Sequence, residues 1–368
     1  MKRTPLFEGH RAAGGRLVDF AGWEMPMQYT GVVDEYQTVR HAAGLFDVSH
    51  MGRVVVSGEG ALSFLQRVTT NNVAKLGVLE SQYSMVCNEA GGIKDDIFVY
   101  RIKPQEYLLC VNASNRAKIT AWLNAQASGV TGVILHDRSA EWAQLALQGP
   151  ASRTILSSMG IVGVEAMKLR ACLETDLLGA PALITRTGYT GELGYELYVS
   201  SDRALAIWNT LLTAGKSVEL KPAGLGARDL LRLEMAYLLY GNDIGEETTP
   251  IEAAAEWVID FAKGNFIGRN VLQQQKDHGV PKRLVAFELT QKAVPRHGFR
   301  ILDESTGGKE IGEVTSGNLS PLLQKGIGLG YVPPQMAAIG SSICIDIRGR
   351  ALPAVIAKPP FYRKRANT

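Results

Sequence analysis

Short segments in which apolar and polar residues alternate make up most of the chain, and helical periodicity interrupts them at intervals. Three successive strands are predicted from "YSMVC", "DDIFVYRI" and "EYLLCVN", and the glycine-rich "NEAGG" between the first two is typical of a hairpin turn. Apolar residues recur every three or four positions in "GALSFLQRVTTN" and "GARDLLRLEMAYLLYG", which predicts helices. Because strands come in adjacent runs rather than alternating singly with helices, the pattern favours antiparallel α+β domains over a doubly wound parallel sheet.

From about Pro281 the pattern changes to short alternating segments separated by Gly, Pro, Asn and Ser. Regular spacing of this kind is typical of a small β-barrel or sandwich. The glycines of "GIGLGYVPP" superficially match a dinucleotide-binding fingerprint, but Pro333 and Pro334 stand where a helix would have to continue. A turn followed by a strand is therefore predicted for this stretch.

Composition narrows the possible classes of protein. The 368 residues, with a net charge of +3, predict a globular chain of two or three domains and give no reason to expect nucleic-acid binding. No apolar run reaches the roughly 18 residues of a membrane span, and the N-terminus lacks a signal or transit peptide, so a cytoplasmic protein is expected. Cysteines and histidines lack metal-binding spacing, so no metal is expected, and His50 is expected to be a hydrogen-bonded structural residue.

The stretch "GGIKDDIFVY" places two carboxylates where a strand begins. Side chains alternate along a strand, so Asp95 is expected on the face of Ile97 and Asp96 on the face of Phe98. The two acids are therefore not expected to serve one site: one would hydrogen-bond backbone amides at a turn or edge, and the other would project into a cleft. Lys94 shares the side of Asp96 and would either pair with that carboxylate or, as we prefer, point to solvent.

Two further stretches combine glycines with charged and aromatic residues. In "RTGYTGELGYELYV" the glycines are explained by tight turns. In "KPAGLGARDLLRLE" the side chains of Arg228, Asp229 and Arg232 share one side of the predicted helix, which is compatible with a simple intrahelical ion pair. Arg228 nevertheless lies in the first helical turn, where a cation opposes the helix dipole, and this indicates either a bound anion or a buried carboxylate partner.

Ten segments, in order, resemble the glycine cleavage T-protein (aminomethyltransferase) family. The match runs from about residue 3 to residue 363 without large gaps, and its segments are "RTPLFEGH", "VDFAGWEMPMQY", "GLFDVSHMG", "NEAGGIKDDIFVYR", "RTGYTGELGYEL", "PAGLGARDLLRLE", "YLLYGNDI" with "TTPIEA", "FIGR", "GEVTSGNLSPLL" and "GLGYV". The resemblance implies an α+β fold, a three-domain cloverleaf of mainly antiparallel sheets with helices, arranged around a central folate site.

The same resemblance implies the domain boundaries. Residues 1–50 together with residues 140–245 are expected to form a discontinuous folate-binding domain. Residues 51–139 are expected to form a second α+β domain that carries the acidic strand. Residues 246–280 would be a helical connection, and residues 281–368 a C-terminal β-barrel domain.

An enzyme is implied that passes the aminomethyl group on the dihydrolipoyl arm of H-protein to tetrahydrofolate, with release of ammonia and 5,10-methylenetetrahydrofolate. Lipoylated H-protein is the implied partner, tetrahydrofolate the one-carbon acceptor substrate, and a monomer or weak dimer is expected. One alternative is a related tetrahydrofolate-dependent demethylase of a small methylated compound. A second is a non-catalytic folate-binding iron–sulfur assembly factor, although such proteins carry a cysteine in a "KGCYxGQE"-like segment and the aligned "RTGYTGELGYE" has none.

Carried over residue by residue, the resemblance places the family's essential acid at Asp96. A carboxylate near the reacting folate nitrogens can stabilise developing positive charge and manage a proton. Glu196 matches the acid that pairs with the pterin ring, whose adjacent N–H donors a single carboxylate can accept. The other implied folate-site positions are Tyr83, Tyr189, Arg228, Tyr237 and, as a candidate for the substrate rim, Arg363. Arg228 would form either a salt bridge inside the site or a contact with a folate carboxylate.

Overall fold

The computed structural model describes residues 1–303 and 308–363 of the chain. The helices within them are α1 (Phe7–Ala12), α2 (Val32–His41), α3 (Ala61–Val68), α4 (Arg116–Ala127), α5 (Ser152–Ser158), α6 (Ala204–Ala214), α7 (Leu225–Glu234) and α8 (Arg269–His278). The strands are β1 (Arg16–Phe20), β2 (Trp23–Gln28), β3 (Gly44–Asp47), β4 (Gly52–Ser57), β5 (Glu80–Cys87), β6 (Ile93–Lys103), β7 (Glu106–Val111), β8 (Ile134–Asp137), β9 (Trp142–Gln148), β10 (Cys172–Leu177), β11 (Ala180–Thr185), β12 (Gly194–Ser200), β13 (Lys221–Pro222), β14 (Arg283–Leu289), β15 (Arg300–Asp303), β16 (Lys309–Ser320), β17 (Lys325–Val332), β18 (Ser342–Ile347) and β19 (Arg350–Ala357).

The chain divides into two compact units. Unit 1 comprises Met1–Val86 and Asp95–Asp229, and unit 2 comprises Cys87–Lys94 and Leu230–Thr368. The boundaries that the resemblance implies, near residues 50, 139, 245 and 280, divide the chain more finely. They stay a prediction.

The larger sheet of unit 1 has the strand order β10-β11-β12-β9-β3-β13. Its strands pair in antiparallel fashion except for β13, which runs parallel to β3. One face carries a core that includes Leu45, Leu145, Leu197 and Trp208 at no more than 1% exposure, with α5 and α6 contributing to the same cluster. Burial of these side chains stabilises the sheet that positions Glu196, on β12.

The acidic stretch belongs to a second sheet, of strand order β5-β6-β7-β4-β8. Helix α3 buries one apolar face, formed by Ala61, Phe64, Leu65 and Val68, as its three- and four-residue spacing predicts. Strands β5, β6 and β7 match the three strands predicted from the alternation of apolar and polar residues.

A closed antiparallel barrel in unit 2 has the strand order β14-β17-β16-β15-β18-β19. Phe287, Ile301, Val314 and Ile345 are fully buried in its core. The glycine-rich stretch forms β17, where a Cβ at Gly328 would approach the Phe287 ring to 2.4 Å, so the glycine allows close packing inside the barrel. Both the predicted barrel and the predicted strand are confirmed.

Helix α7 is shorter than the sequence pattern predicts, because it ends at Glu234 rather than continuing through "MAYLLYG". Ala236 adopts a left-handed conformation with φ of 54°. The backbone N–H of Tyr237 donates back to the carbonyl of Arg232, which closes the helix end. The apolar periodicity continues past this point, so the pattern alone could not locate the end. The α+β fold class is otherwise confirmed, and no helix in the described residues is long and apolar enough to cross a membrane.

Candidate active site

The two aspartates of β6 lie on opposite faces of the strand, as alternation predicts. Asp95 is fully buried, whereas Asp96 is half-buried. The Asp95 carboxylate accepts hydrogen bonds from the backbone N–H of Asn112 at 3.1 Å and the side chain of Asn115 at 2.7 Å. The Asp96 carboxylate accepts the hydroxyl proton of Tyr83 at 2.8 Å. Asp95 therefore accepts a backbone amide, as was expected of one of the two acids, but it does so from within the interior strand β6 and not at a turn or edge.

Asn112 joins the two carboxylates. Its Nδ2 amide donates to Asp95 Oδ1 at 2.8 Å and to Asp96 Oδ1 at 2.7 Å. The acids thus belong to one hydrogen-bonded group, which differs from the expectation that they would act apart. Asn112 was not predicted from the sequence, where the available signal was an amide directly after the apolar strand β7.

Burial and, to a smaller extent, the neighbouring Asp96 carboxylate raise the pKa of Asp95 to about 7, against the lowering effect of the Asn115 and Asn112 amides. Burial and the charge of Asp96 also hold the pKa of Tyr83 well above its usual value. The Tyr83 hydroxyl consequently stays protonated near neutral pH and can continue to donate to Asp96. The acidic group therefore combines a carboxylate oriented by two donors with a second carboxyl that gains a proton easily.

Lys94 does not point to solvent. Its Nζ lies 3.0 Å from Glu246 Oε2, and its side chain is 13% exposed. The expectation of a solvated lysine is wrong because the sequence does not reveal that a residue 152 positions later supplies a carboxylate.

Neutral donors hold both oxygens of the Glu196 carboxylate. Gln144 Nε2, on the neighbouring strand β9, donates to Oε1 at 3.1 Å. The hydroxyl of Thr187 donates to Oε2 in a short hydrogen bond. Gln144 and Thr187 are 1% and 5% exposed, so this carboxylate is anchored from its buried side. Neither donor was predicted from the sequence, although the glutamine among the apolar residues of "WAQLALQ" was a usable signal.

Arg228 packs over the ring of Tyr189, with 4.7 Å between the guanidinium carbon and the ring centroid. Burial lowers the pKa of Arg228, and the charge of Glu196 partly offsets that effect. Within residues 1–303 and 308–363, no carboxylate forms an ion pair with Arg228 and no acceptor hydrogen-bonds to it. The buried carboxylate nearest in electrostatic effect is Glu196, which does not form an ion pair with Arg228, and the bound anion stays a prediction.

Unit 1 brings five of the seven predicted site residues into one interacting group. Tyr83 contacts Asp96 through its hydroxyl and interacts electrostatically with Tyr189. Tyr189 lies against Arg228, which interacts electrostatically with Glu196. These interactions therefore run from the acidic strand to Glu196, near the start of β12.

The other two predicted site residues, Tyr237 and Arg363, belong to unit 2. Tyr237 is 37% exposed, and Arg363 is exposed. The contacts within unit 1 do not test either of them, and both stay predictions.

His50 is buried at 3% exposure, but its Nδ1 atom has no hydrogen-bond partner among the described residues. The ring of His50 makes an edge-to-face contact with Phe20, at 5.6 Å between ring centroids. Burial lowers the pKa of His50 to about 4, so the ring is neutral at physiological pH. The expectation of a hydrogen-bonded histidine is wrong at this nitrogen, and packing against Phe20 holds the ring.

Unit 2 contains a buried carboxylate of a different kind. Asp243 Oδ2 lies 2.8 Å from Arg232 Nη1, and both side chains are at most 3% exposed. Asp243 Oδ1 accepts the hydroxyl proton of Thr315 at 2.6 Å, and Oδ2 also accepts the backbone N–H of Leu239. Arg232 therefore has a structural partner outside its own helix.

No group of three or more His, Cys, Asp or Glu side chains within the part of the chain that the structure describes is arranged to hold a metal ion.

Comparison with known proteins identifies the family. Residues 6–263 match the model of the GCVT N-terminal domain, and residues 282–363 match that of the glycine cleavage T-protein C-terminal barrel domain. The chain belongs to the glycine cleavage T-protein family. The resemblance inferred from ten sequence segments is thereby confirmed.

Relatives match over nearly their whole length. An aminomethyltransferase of Halothermothrix orenii is 48% identical over 361 residues, covering 98% of this chain and all of the relative. An aminomethyltransferase of Bacteroides thetaiotaomicron is 46% identical over 365 residues, covering 99% of this chain and all of the relative. The crystal structure of the glycine cleavage system aminomethyltransferase T from Bartonella henselae superposes with a TM-score of 0.92 at 33% identity, covering 98% of both chains. The aminomethyltransferase class predicted from the sequence is confirmed.

Proposed function

We propose that this T-protein family member transfers the aminomethyl group carried on the dihydrolipoyl arm of H-protein to tetrahydrofolate. The carbon–sulfur bond to the lipoyl arm breaks, the carbon becomes bonded to folate nitrogens, and ammonia, 5,10-methylenetetrahydrofolate and the reduced lipoyl arm are the products. Family membership supports this class of reaction. The residues assigned to each role below are part of the proposal.

The observation that carries the proposal is the state of the Glu196 carboxylate. Each carboxylate oxygen can accept about two hydrogen bonds, and each accepts one from within the described residues. The two remaining positions suit a pair of adjacent N–H donors, such as those of a 2-amino-4-oxo pyrimidine ring. Both donors are neutral, so no ion pair among the described residues competes with such a ligand for this carboxylate.

The surroundings of Glu196 fit the rest of a folate. The Arg228 guanidinium lacks an ion-pair partner in the described part of the chain, so it can bind a ligand carboxylate or another electron-rich group. Tyr189 already stacks with that guanidinium and presents an aromatic ring of the kind on which a pterin can pack. These residues would hold tetrahydrofolate, which supplies the nitrogen nucleophiles of the reaction.

Asp96 is proposed as the catalytic acid group. The Tyr83 hydroxyl and the Asn112 amide fix its orientation, so its negative charge is positioned before substrate binds. It can stabilise positive charge on the carbon that leaves sulfur and can hold a proton released by the nucleophile. Asp95 supports it through Asn112, and its own raised pKa keeps a second negative charge from accumulating nearby.

Tyr237 and Arg363 complete the proposal as further folate contacts, the latter at the rim. Lipoylated H-protein is the proposed partner, and the cytoplasm is the proposed location. A monomer or weak dimer is proposed for the free protein.

A single-turnover assay tests the proposal. Aminomethylated H-protein and tetrahydrofolate are mixed with wild-type protein or with the Asp96→Asn variant, and 5,10-methylenetetrahydrofolate is measured. Wild type should turn over, and Asp96→Asn should fold and bind folate but react about 10²–10⁴-fold more slowly. Asp176→Asn, which changes an exposed aspartate of β10, is the matched control and should react normally.

Two results would contradict the proposal in different ways. Wild type that binds folate but ignores the H-protein adduct would disprove the donor assignment, and small methylated donors would then be screened for the alternative demethylase activity. Equal rates for wild type and Asp96→Asn would show that Asp96 is structural.

A further inference from the structure

The buried side of the Glu196 carboxylate is contacted by two short hydrogen-bond chains. In the first, the hydroxyls of Thr185 and Thr187 lie 2.6 Å apart, and Thr187 then donates to Glu196. Because a hydroxyl has one proton, Thr187 must accept from Thr185 if it donates to the carboxylate. The first chain therefore runs in one direction, from Thr185 through Thr187 to Glu196.

The second chain approaches the other carboxylate oxygen. The thiol of Cys110 donates to Gln144 Oε1 at 3.5 Å, and Gln144 Nε2 donates to Glu196 Oε1 at 3.1 Å. Burial raises the pKa of Cys110 to about 12, so this thiol keeps its proton and the glutamine amide has a fixed orientation. Reversing the amide would turn its oxygen towards a carboxylate and its donors towards a thiol hydrogen.

Strand register explains how these groups meet. Tyr198 and Gln144 are partners across the β12–β9 pair, and Glu196 lies opposite Ala146. Gln144 and Glu196 are thus diagonal neighbours on one face of the sheet, within reach of a long side chain. Thr187 follows the end of β11, where Thr185 pairs with Glu196. A rigid sheet therefore sets both donors.

We propose that Gln144 and Thr187 are positioning residues that fix the orientation of the Glu196 carboxylate, and that they thereby determine specificity for a ligand with two adjacent N–H donors. The inference rests on the proposed folate-binding role of Glu196. Both chains end in a donor that faces the carboxylate, one at each oxygen. A carboxylate held in one orientation favours a 2-amino pyrimidine over an analogue that lacks one donor.

The test uses the full-length protein with the variants Thr187→Val and Gln144→Met, which remove one donor each while retaining side-chain size. Affinity for tetrahydrofolate is measured anaerobically, together with kcat and KM. Each variant should bind about tenfold more weakly with little change in kcat.

Two further variants separate orientation from loss of packing. Thr187→Ser retains the hydroxyl and should bind folate within about twofold of wild type. Thr315→Val removes a buried threonine hydroxyl that donates to the ion-paired Asp243 in unit 2, and it should leave folate affinity unchanged. A 2-desamino-2-methyl folate analogue is the specificity probe, since Thr187→Val should discriminate against it less than wild type does.

The outcomes distinguish this inference from the proposed function. If Thr187→Val and Gln144→Met fold and bind folate like wild type, the positioning inference is overturned and Glu196 can still bind folate. If Glu196→Gln itself binds folate with wild-type affinity, the assigned role of Glu196 fails, and the positioning inference fails with it.

Discussion

Two buried carboxylates, Asp243 in unit 2 and Glu196 in unit 1, have similar exposure but different partners. Asp243 has an arginine, a threonine hydroxyl and a backbone N–H within hydrogen-bond distance. Glu196 has two neutral side-chain donors, and no ion pair to it exists among the described residues. The two carboxylates differ in direct pairing, because Asp243 forms an ion pair within its own unit and Glu196 forms none among the described residues.

This contrast separates a structural carboxylate from one available to a ligand. Burying a charge is costly unless it is paired and hydrogen-bonded, so a protein that leaves Glu196 only half satisfied forgoes stability at that position. The cation Arg228, within electrostatic range of Glu196, is likewise without an ion-pair partner in residues 1–303 and 308–363. Two incompletely satisfied charges of opposite sign suit a ligand that has both donors and acceptors.

Breaking the ion pair of unit 2 should have the largest effect on stability. Arg232→Met leaves Asp243 buried without its cation, and we expect a loss of about 3–5 kcal/mol in the free energy of unfolding. Urea denaturation measures this loss. Arg300→Met, which breaks a surface pair whose arginine side chain is 58% exposed, should lower stability far less, because solvent screens the pair. Equal losses for the two variants would show that burial of the pair has no energetic weight.

Replacing Arg228 in unit 1 should have the opposite effect, with a large loss of ligand affinity and a small change in stability. Arg228→Met should weaken tetrahydrofolate binding by about 10–100-fold, because a charge-assisted contact to the ligand is lost. The free energy of unfolding should change by less than about 1 kcal/mol, since the variant forfeits a cation–π contact but no ion pair. Calorimetric titration and urea denaturation provide the two values. A destabilised variant that binds folate normally would place Arg228 with the structural residues.

Asp95 and Asp96 allow a test with a smaller expected effect, in which stability is measured as a function of pH. The pKa of Asp95 is raised to about 7 by burial and by Asp96, whereas the unfolded carboxyl titrates near its usual value of about 4. Between these two pKa values the native state retains a proton on Asp95 that the unfolded state has released. The free energy of unfolding is therefore higher at low pH and falls as the pH rises towards 7. The free energy of unfolding should fall by at most about 1.4 kcal/mol per pH unit through this one group.

Asp95→Asn should flatten the dependence of stability on pH between 5 and 7. Asp137→Asn is the control, because the pKa of Asp137 is lowered and its titration lies below that window. An unchanged slope in Asp95→Asn would mean that Asp95 is ionised throughout.

Local patterns in the sequence predicted much of the fold. Alternation located β5, β6 and β7, the spacing of Leu65 and Val68 located α3, and the change in pattern near Pro281 located the barrel. Alternation also placed Asp95 and Asp96 on opposite faces of their strand. These features depend on neighbours in the chain, which a sequence displays directly.

Features that depend on distant residues could not be predicted in this way. The partners of Lys94 and Arg232 are residues 152 and 11 positions away, and nothing near either cation indicates them. Asn112 and Gln144 lie in apolar strands and belong to no chemical motif, so their hydrogen bonds to the carboxylates emerged only from the register of the sheets. The resemblance to a family named the acids, and the packing identified the groups that orient them.

The most direct test compares Glu196→Gln with Asp243→Asn, measuring tetrahydrofolate affinity and the free energy of unfolding for both. Glu196→Gln should weaken folate binding by about 10–100-fold and lower stability less than Asp243→Asn does. Asp243→Asn should lower stability by about 3–5 kcal/mol while the folded fraction binds folate normally. If Glu196→Gln instead destabilises the protein as much as Asp243→Asn and binds folate with wild-type affinity, the division between a structural and a ligand-binding carboxylate is contradicted.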